Sequence, residues 1–468
     1  MFLGIDKHIK SKDAVIDNNT RLTYGELSKI VYDFSAYIDK RCICFNLCTN
    51  SIGSLIGYLG IVECDSVPLL LSSKIDDQLL TKLINEYEPY YIWAPIELSD
   101  KWDYHIVFQK YGYCLMRTHY EKYSINNMLQ ILMTTSGSTG SPKLVRYKKG
   151  NLEVNAKNVS LAFGWSSLER PICDLGMQYT MGLNVINSHL YVGATLILTD
   201  YNIIDGRFWD LVKNEEVSNF TGVPFSYDIL ARLGFERMKL PYLRTLSQGG
   251  GKLTEARFIQ LVEYALKNNK RFIASFGTTE TSARIACLPP ELAEKKVCSI
   301  GFAIPEGSMF LKDHNGNIID DVEAEGELCY TGPNVTMGYA NCKADLSEGD
   351  VFNGTYITGD LAKRDIDGCY YITGRKSRFL KLLSYRISLD QSESLINEQF
   401  GITCACMGTD DKMDIFITDS DLSERVLKFI SAKTGVFRNL FKVTVVNSIP
   451  RNDRNKIDYQ KLKNYSSK

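Results

Sequence analysis

The sequence predicts an α/β fold in which a large N-terminal domain, with doubly wound, mostly parallel sheets and a small β-barrel-like part, precedes a small mobile α+β C-terminal domain. Three observations lead to this prediction. The chain has 468 residues, too many for one compact core. Short apolar runs alternate with helix-like spacings, as in parallel sheets covered by helices. From about residue 301, short strands alternate with turns at Asn315-Gly316, Gly326-Glu327 and Asp367-Gly368.

The first 130 residues illustrate the alternation. Residues 42–47, 67–71 and 90–93 are apolar runs with the length of buried strands, and residues 75–87 have a helical spacing. Thr23, with Glu26 three residues later, predicts a helix start through a capping box.

The same pattern continues up to residue 281. Residues 128–133, 194–198, 243–246 and 272–276 are predicted strands, and residues 151–163, 182–190 and 254–268 are predicted helices. Three polar, glycine-bearing loops each follow a strand, at residues 134–143, 249–251 and 277–281. Because ligands bind at the carboxyl ends of strands in open α/β sheets, we expect these loops to converge.

The first of these loops has the composition of a phosphate cradle. Its glycines permit close backbone approach, its hydroxyls donate hydrogen bonds, and its lysine adds positive charge. The predicted phosphate-binding residues are Thr135, Ser136, Gly137, Ser138, Thr139, Gly140 and Lys143. The spacing is not that of a Walker loop, and a Ser/Gly-rich surface loop remains the alternative.

Composition excludes several other functions. A net charge of −1 gives no support for nucleic-acid or membrane-surface binding, and no apolar run is long enough to cross a membrane. The thirteen cysteines show no metal or disulfide spacing, so we expect reduced thiols in a cytoplasmic protein. The five histidines include no zinc-hydrolase motif.

Six strings, in order along nearly the whole chain, resemble the adenylate-forming superfamily of acyl-CoA synthetases, amino-acid adenylation domains and luciferases. They are residues 134–143, Phe276-Gly277-Thr278-Thr279-Glu280, residues 326–339, Tyr356-Ile357-Thr358-Gly359-Asp360, residues 374–386 and Asn455-Lys456-Ile457-Asp458. The resemblance implies a large adenylation domain at residues 1–375 and a lid domain at residues 376–468, which rotates about Ser377–Arg378.

The resemblance also implies the reaction. A small carboxylic or amino acid reacts with Mg²⁺-ATP to give an acyl-adenylate and pyrophosphate, and then a thioester with CoA or a carrier-protein phosphopantetheine. Two alternatives remain: a stand-alone amino-acid adenylation enzyme that loads a carrier protein, and a non-catalytic adenylate-binding relative that acts as a partner protein.

Individual roles follow from the matching positions. Lys456 is expected to stabilise the transition state of adenylation, Thr279 to bind the α-phosphate and Glu280 to ligate Mg²⁺. The nucleotide is expected to contact the following residues: Gly249, Gly250, Gly251, Phe276 by stacking on adenine, Gly277, Thr278, Asp360 through the ribose hydroxyls, and Arg375.

The expected acid pocket and thiol channel depart from the family pattern. The pocket residues are Tyr179, Thr180, Gly182 and Ser275, and Tyr179 stands where many acyl-CoA synthetases place a histidine. Asp174 is the nearest candidate for the aspartate that pairs with an amino-acid amine. The channel residues are Lys381, Ser384 and Arg386. Ser384 replaces a glycine that leaves room for pantetheine, so we expect the thioester step to be the slower one.

Overall fold

The computed structural model describes residues 1–18, 20–134, 143–376, 378–382, 385–409, 412–434, 436–452 and 456–466. The chain forms two compact units: unit 1 comprises Met1–Met309 and Tyr330–Tyr356, and unit 2 comprises Phe310–Cys329 and Ile357–Lys468. Unit 2 therefore includes residues 310–329 and 357–375, which were predicted in the large domain. The functional boundary at residue 375 and the rotation about Ser377–Arg378 stay predictions, and Ser377 lies outside the described residues.

The helices have these bounds: α1 Tyr24–Ser35, α2 Ile52–Glu63, α3 Asp77–Tyr87, α4 Asn151–Phe163, α5 Thr180–Tyr191, α6 Gly206–Asn214, α7 Pro224–Arg232, α8 Glu255–Lys267, α9 Leu389–Phe400, α10 Ser423–Thr434 and α11 Tyr459–Ser466. Caps explain several starts. Thr23 and Glu26 exchange the two hydrogen bonds of the predicted capping box before α1, and the Thr254 side chain caps α8.

The first sixteen strands have these bounds: β1 Asp13–Ile16, β2 Arg21–Thr23, β3 Ile43–Cys48, β4 Val67–Ser72, β5 Tyr91–Pro95, β6 His105–Lys110, β7 Tyr113–Arg117, β8 Leu129–Thr134, β9 Leu144–Lys148, β10 Pro171–Cys173, β11 Leu196–Leu198, β12 Asn219–Gly222, β13 Thr245–Gln248, β14 Arg271–Phe276, β15 Ala286–Cys287 and β16 Phe302–Ala303. The later strands are β17 Ser308–Lys312, β18 Ala324–Thr331, β19 Tyr339–Ala340, β20 Thr355–Arg364, β21 Tyr370–Arg375, β22 Phe379–Leu382, β23 Tyr385–Ser388, β24 Ala405–Thr409, β25 Lys412–Ile417 and β26 Phe441–Val445.

Two large sheets of the described residues confirm the predicted fold class. One has the order β16-β15-β14-β13-β12-β10-β11-β1-β2, and its strands from β14 to β1 run parallel to one another. The other has the order β19-β9-β8-β4-β3-β5-β7-β6, with parallel strands from β8 to β5. Helix α2 packs closely against β5, because a Cβ atom at Gly57 would lie 2.1 Å from the Trp93 ring.

Unit 2 has its own apolar core. Its β24-β25-β26 sheet and helices α9 and α10 bury side chains that include Ile396, Met413, Ile415, Val426 and Ile430. A further sheet, mostly of unit 2 residues, has the order β17-β18-β20-β21.

Two of the three predicted turns in this later part of the chain are confirmed. Gly316 and Gly368 have left-handed φ values of 88° and 81°. The turn predicted at Gly326-Glu327 is wrong, because both residues lie inside β18. A glycine in a strand marks close approach, and a Cβ atom at Gly326 would lie 2.5 Å from the Lys312 carbonyl oxygen.

All thirteen cysteines are free, and eleven of them are buried. Their reduced state and the cytoplasmic location stay predictions. Within the part of the chain that the structure describes, no helix combines the length and the apolar character needed to cross a membrane.

Candidate functional site

Two of the predicted loops meet at one edge of the nine-stranded sheet. Strands β13 and β14 are parallel neighbours, with Gln248 opposite Ala274, so the residues that follow both strands emerge together. A Cβ atom at Gly249 would lie 2.9 Å from the Met181 methyl carbon and 3.0 Å from the Ser275 hydroxyl oxygen. Gly250 has a left-handed φ of 76°. The glycines therefore allow the close packing that the sequence suggested.

The turn after β14 depends on Gly277. A Cβ atom there would lie 1.6 Å from the carbonyl oxygen of Ala283, an overlap that no side chain permits. Ser282 and Ala283 themselves have positive φ values of 57° and 98°, so the chain turns back sharply after the motif. Phe276 is half-buried at the end of β14.

The main chain of Thr279 and Glu280 is fixed from outside the turn. The Tyr147 hydroxyl donates to the carbonyl oxygen of Thr279 at 2.7 Å. The Glu280 carbonyl oxygen accepts from both the backbone N–H and the hydroxyl of Thr336, at 3.0 and 2.9 Å. These bonds hold the two residues that were predicted to bind the α-phosphate and the metal.

The Glu280 side chain is oriented by a neutral donor. The Tyr339 hydroxyl donates to Glu280 Oε1 at 2.9 Å, and Lys143 Nζ lies 4.2 Å from the centre of the Tyr339 ring. No residue of the described chain donates to Glu280 Oε2. Lys143 and Glu280, predicted from two separate motifs, are thus brought together around Tyr339.

The other predicted phosphate-loop residues, Thr135 to Gly140, lie outside the described residues. The two ends of the segment are described. Thr134 at the end of β8 pairs with Leu144 at the start of β9, one residue after Lys143. The ends therefore lie side by side, at the carboxyl end of a buried strand, as a phosphate-binding loop requires.

The predicted acid pocket lies around the start of α5. Tyr179 is the N-cap residue and Thr180 the first residue of this helix. A Cβ atom at Gly182 would lie 2.4 Å from the Leu175 carbonyl oxygen, so the helix start packs against the preceding loop. Ser275 is buried and donates to the Gln248 carbonyl oxygen at 2.6 Å.

The sequence interpretation missed Arg284, which is only 2% exposed. Its Nη1 donates to the Ser275 hydroxyl at 2.7 Å and its Nε to Asn184 Oδ1 at 3.2 Å, and no carboxylate of the described residues pairs with it. Burial lowers its pKa to about 10. The position four residues after Glu280 was the only sequence signal for it.

Asp174, the candidate for binding an amine, has no hydrogen-bond partner for its buried Oδ1 among the described residues. Burial raises its pKa to about 7.

In unit 2, Asp360 and Arg375 face each other on paired strands. Residues 360 and 375 are opposite in the antiparallel pair β20–β21, and Arg375 Nε donates to Asp360 Oδ1 at 2.9 Å. The Asp360 side chain is buried, and its Oδ2 has no partner among the described residues. This second oxygen is therefore available to accept from a ribose hydroxyl.

Burial and nearby positive charges act on the pKa of Asp360 in opposite directions. Burial raises the pKa of Asp360, and the positive charges of Arg375 and Lys456 oppose that rise. Lys456 is exposed, and its backbone N–H donates to Asn452 Oδ1 at 3.1 Å.

The described thiol-channel residues lie on the β22–β23 hairpin, where Lys381 pairs with Arg386. Ser384 lies outside the described residues, so the slow thioester step stays a prediction. Arg378, the second residue of the predicted hinge, forms ion pairs with Asp390 at 2.8 Å and Glu393 at 2.7 Å.

The residues present fit a magnesium-bound nucleotide. Among the described residues there is no cluster of three or more metal-binding side chains. A single carboxylate with one available oxygen suits Mg²⁺, which keeps several water molecules and binds substrate phosphates.

The chain is similar to a known family of proteins and to individual enzymes. The family described as AMP-binding enzyme matches residues 6–340. A 2-succinylbenzoate–CoA ligase of Listeria monocytogenes is 25% identical over 340 residues, which cover 71% of this chain and 69% of that protein.

Solved structures give the same fold. The o-succinylbenzoate CoA synthetase of Bacillus subtilis in complex with AMP is 19% identical, with a TM-score of 0.81 over 98% of this chain and 97% of that one. The same enzyme with ATP and a magnesium ion has a TM-score of 0.80 at 19% identity, over 98% of each chain. At this identity the likeness concerns the fold.

Proposed function

This chain belongs to the AMP-binding enzyme family, and we propose that it is an AMP-forming ligase that joins a small carboxylic acid to CoA. The resemblance to the adenylate-forming superfamily is confirmed over the matched residues 6–340. That range contains Lys143, Thr279 and Glu280. Asp360, Arg375 and Lys456 follow it, and their roles rest on the motifs and on the geometry of unit 2.

One observation carries the proposal. Glu280 presents one carboxylate oxygen without a described partner, in a turn at the carboxyl end of a parallel strand, beside the lysine that follows the phosphate loop. A lysine beside a carboxylate with an available oxygen suits the transfer of an adenylyl group, which needs positive charge and a metal ion near the phosphates.

The chemistry has two steps. An oxygen of the acid attacks the α-phosphorus of ATP, the bond from that phosphorus to the bridging oxygen breaks, and pyrophosphate leaves. A thiol sulfur then attacks the acyl carbon, the bond to the adenylate oxygen breaks, and AMP leaves while the thiol proton passes to solvent. A magnesium ion bound at Glu280 would neutralise phosphate charge during the first step.

The protein residues bind and orient the reactants. Thr279 is proposed to donate to the α-phosphate, and Phe276 to stack on the adenine. Asp360 is proposed to accept from the ribose hydroxyls, held by Arg375. Lys456 places positive charge where negative charge develops in the transition state.

We propose 2-succinylbenzoate as the first acid to test, because the similar ligases are named for it. The competing interpretation, activation of an amino acid for a carrier protein, has Asp174 as its candidate residue. The names of the similar proteins, which are CoA ligases, favour CoA over a carrier protein as the acceptor. The non-catalytic interpretation is opposed by the retention of Glu280, Asp360 and Lys456 together.

Acid-dependent exchange between pyrophosphate and ATP tests the proposal. The panel contains 2-succinylbenzoate, benzoate, malonate and several amino acids, with Glu280→Gln as the inactive control. Loss of free thiol from CoA, compared with a pantetheinylated carrier protein, then identifies the acceptor. Exchange with an amino acid alone, or with no acid at all, would overturn the proposal.

A further inference from the structure

Strand pairing and hydrogen bonds tie the backbone around Tyr339 to strand β9. Strand β19 pairs with β9, with Tyr339 opposite Val145, two residues after Lys143. The fully buried Arg146 on β9 donates to the carbonyl oxygens of Tyr339 at 3.0 Å and Met337 at 3.3 Å. The backbone around Tyr339 is therefore fixed to the strand that begins next to Lys143.

Four groups surround the Tyr339 side chain. Its hydroxyl donates to Glu280 Oε1 at 2.9 Å and lies 3.4 Å from the Tyr356 hydroxyl. Lys143 Nζ lies 4.2 Å from the ring centre, and the Phe352 ring meets the Tyr339 ring edge-on at 5.5 Å. The ring thus contacts the phosphate-loop lysine while its hydroxyl holds the carboxylate.

The bond to Glu280 has a chemical consequence. A phenol is protonated at neutral pH, so the Tyr339 hydroxyl is a neutral donor to the Glu280 carboxylate. A neutral donor fixes one carboxylate oxygen without cancelling its negative charge. The other oxygen then has a defined direction, and the full charge remains for a cation.

We propose that Tyr339 is a positioning residue that orients Glu280 for Mg²⁺-nucleotide and couples it to Lys143 through the ring face. This inference rests on the proposed function, because that function assigns Glu280 to the metal. No other tyrosine of the described residues donates to Glu280.

The chain offers a matched pair of variants. Tyr339→Phe removes the hydroxyl that binds Glu280 and keeps the ring under Lys143. Tyr356→Phe removes the neighbouring hydroxyl, 3.4 Å away, and keeps the bond to Glu280. Thermal unfolding of both variants checks that the fold is unchanged.

The direct measurement uses Mn²⁺ as a paramagnetic probe of the metal, with α,β-methylene-ATP as the nucleotide. We expect Tyr339→Phe to weaken Mn²⁺ binding about tenfold, the size of one lost hydrogen bond to a charged group. Tyr356→Phe should change it less than twofold, on the same scale. Unchanged binding in Tyr339→Phe, or an equal loss in both variants, would overturn the inference.

The Mg²⁺ dependence of pyrophosphate exchange gives an independent test. Tyr339→Phe should need about tenfold more Mg²⁺ for half-maximal exchange and should recover most of its activity at saturating Mg²⁺. A loss that is equal at all Mg²⁺ concentrations would contradict a positioning role. If the wild-type protein binds Mn²⁺-nucleotide in the expected way but activates no acid, the proposed function fails while this inference stands.

Discussion

The carboxylates of Glu280 in unit 1 and Asp360 in unit 2 are held in opposite ways. Glu280 is half-buried, and a neutral hydroxyl orients it. Asp360 is 3% exposed, and a guanidinium orients it. In both, one oxygen is bound by the protein and the other has no hydrogen-bond partner among the described residues.

This difference determines which ligand suits each carboxylate. Glu280 has no ion-pair partner among the described residues, which suits the binding of a cation. Asp360 shares its charge with Arg375, which offsets part of the cost of burial and leaves an oxygen suited to the neutral hydroxyl groups of a ribose. Each carboxylate has one available oxygen, but a neutral hydroxyl binds Glu280 whereas a positive guanidinium binds Asp360.

The largest effect is expected when the negative charge of Glu280 is removed. Glu280→Gln keeps an oxygen for the Tyr339 hydroxyl and should lower acid-dependent pyrophosphate exchange roughly 10³-fold at saturating ATP and Mg²⁺. Asp360→Asn should act mainly on the KM for ATP. An equal loss of turnover at saturating ATP in both variants would show that the two carboxylates do not differ in this way.

The second prediction concerns the cation that acts on Asp360. Lys456→Ala should lower exchange about 10²-fold or more while ATP still binds, because the lysine is expected to act on charge in the transition state. Equilibrium binding of ATP, measured beside the exchange rate, separates these effects. Exchange at the wild-type rate would refute the role of Lys456.

The third prediction compares the glycines that precede the two carboxylates. Gly277→Ala forces a Cβ atom to within 1.6 Å of a carbonyl oxygen, whereas Gly359 has a φ of 73° and open space around its Cβ position. We expect Gly277→Ala to lower the free energy of unfolding by about 3 kcal/mol, and Gly359→Ala by about 1 kcal/mol. Urea unfolding followed by far-UV circular dichroism measures both, and equal losses would contradict the packing argument.

The smallest effect is a shift in pH dependence. Asp360 accepts more strongly from hydroxyls when it is ionised, so ATP affinity should fall as pH drops through its pKa, which lies above the ordinary value. Arg375 lowers that pKa, so Arg375→Gln should raise it and move the loss of affinity to higher pH. ATP binding across pH 4 to 8, with Lys363→Gln on the same strand as control, checks this sign; a shift to lower pH would contradict it.

Much of the fold followed from local patterns. Helix α4 spans the predicted residues 151–163, the capping box before α1 forms as expected, and β8, β13 and β14 end where polar loops begin. Caps and periodicity act over a few residues, so the sequence alone can reveal them. The turn predicted at Gly326-Glu327 was wrong. Glycine occurs both in turns and at strand positions where another chain segment approaches closely, and a local sequence pattern does not distinguish these two cases.

The sequence by itself determined the fold class, the motif residues and the chemistry they imply, because each motif is contiguous. Only the tertiary structure decided how those residues are oriented. The Tyr339–Glu280 bond joins residues 59 apart in sequence, and the contact between Arg284 and Asn184 joins residues 100 apart. Such pairs depend on strand register and helix packing, which bring distant side chains together and which no short stretch of sequence specifies.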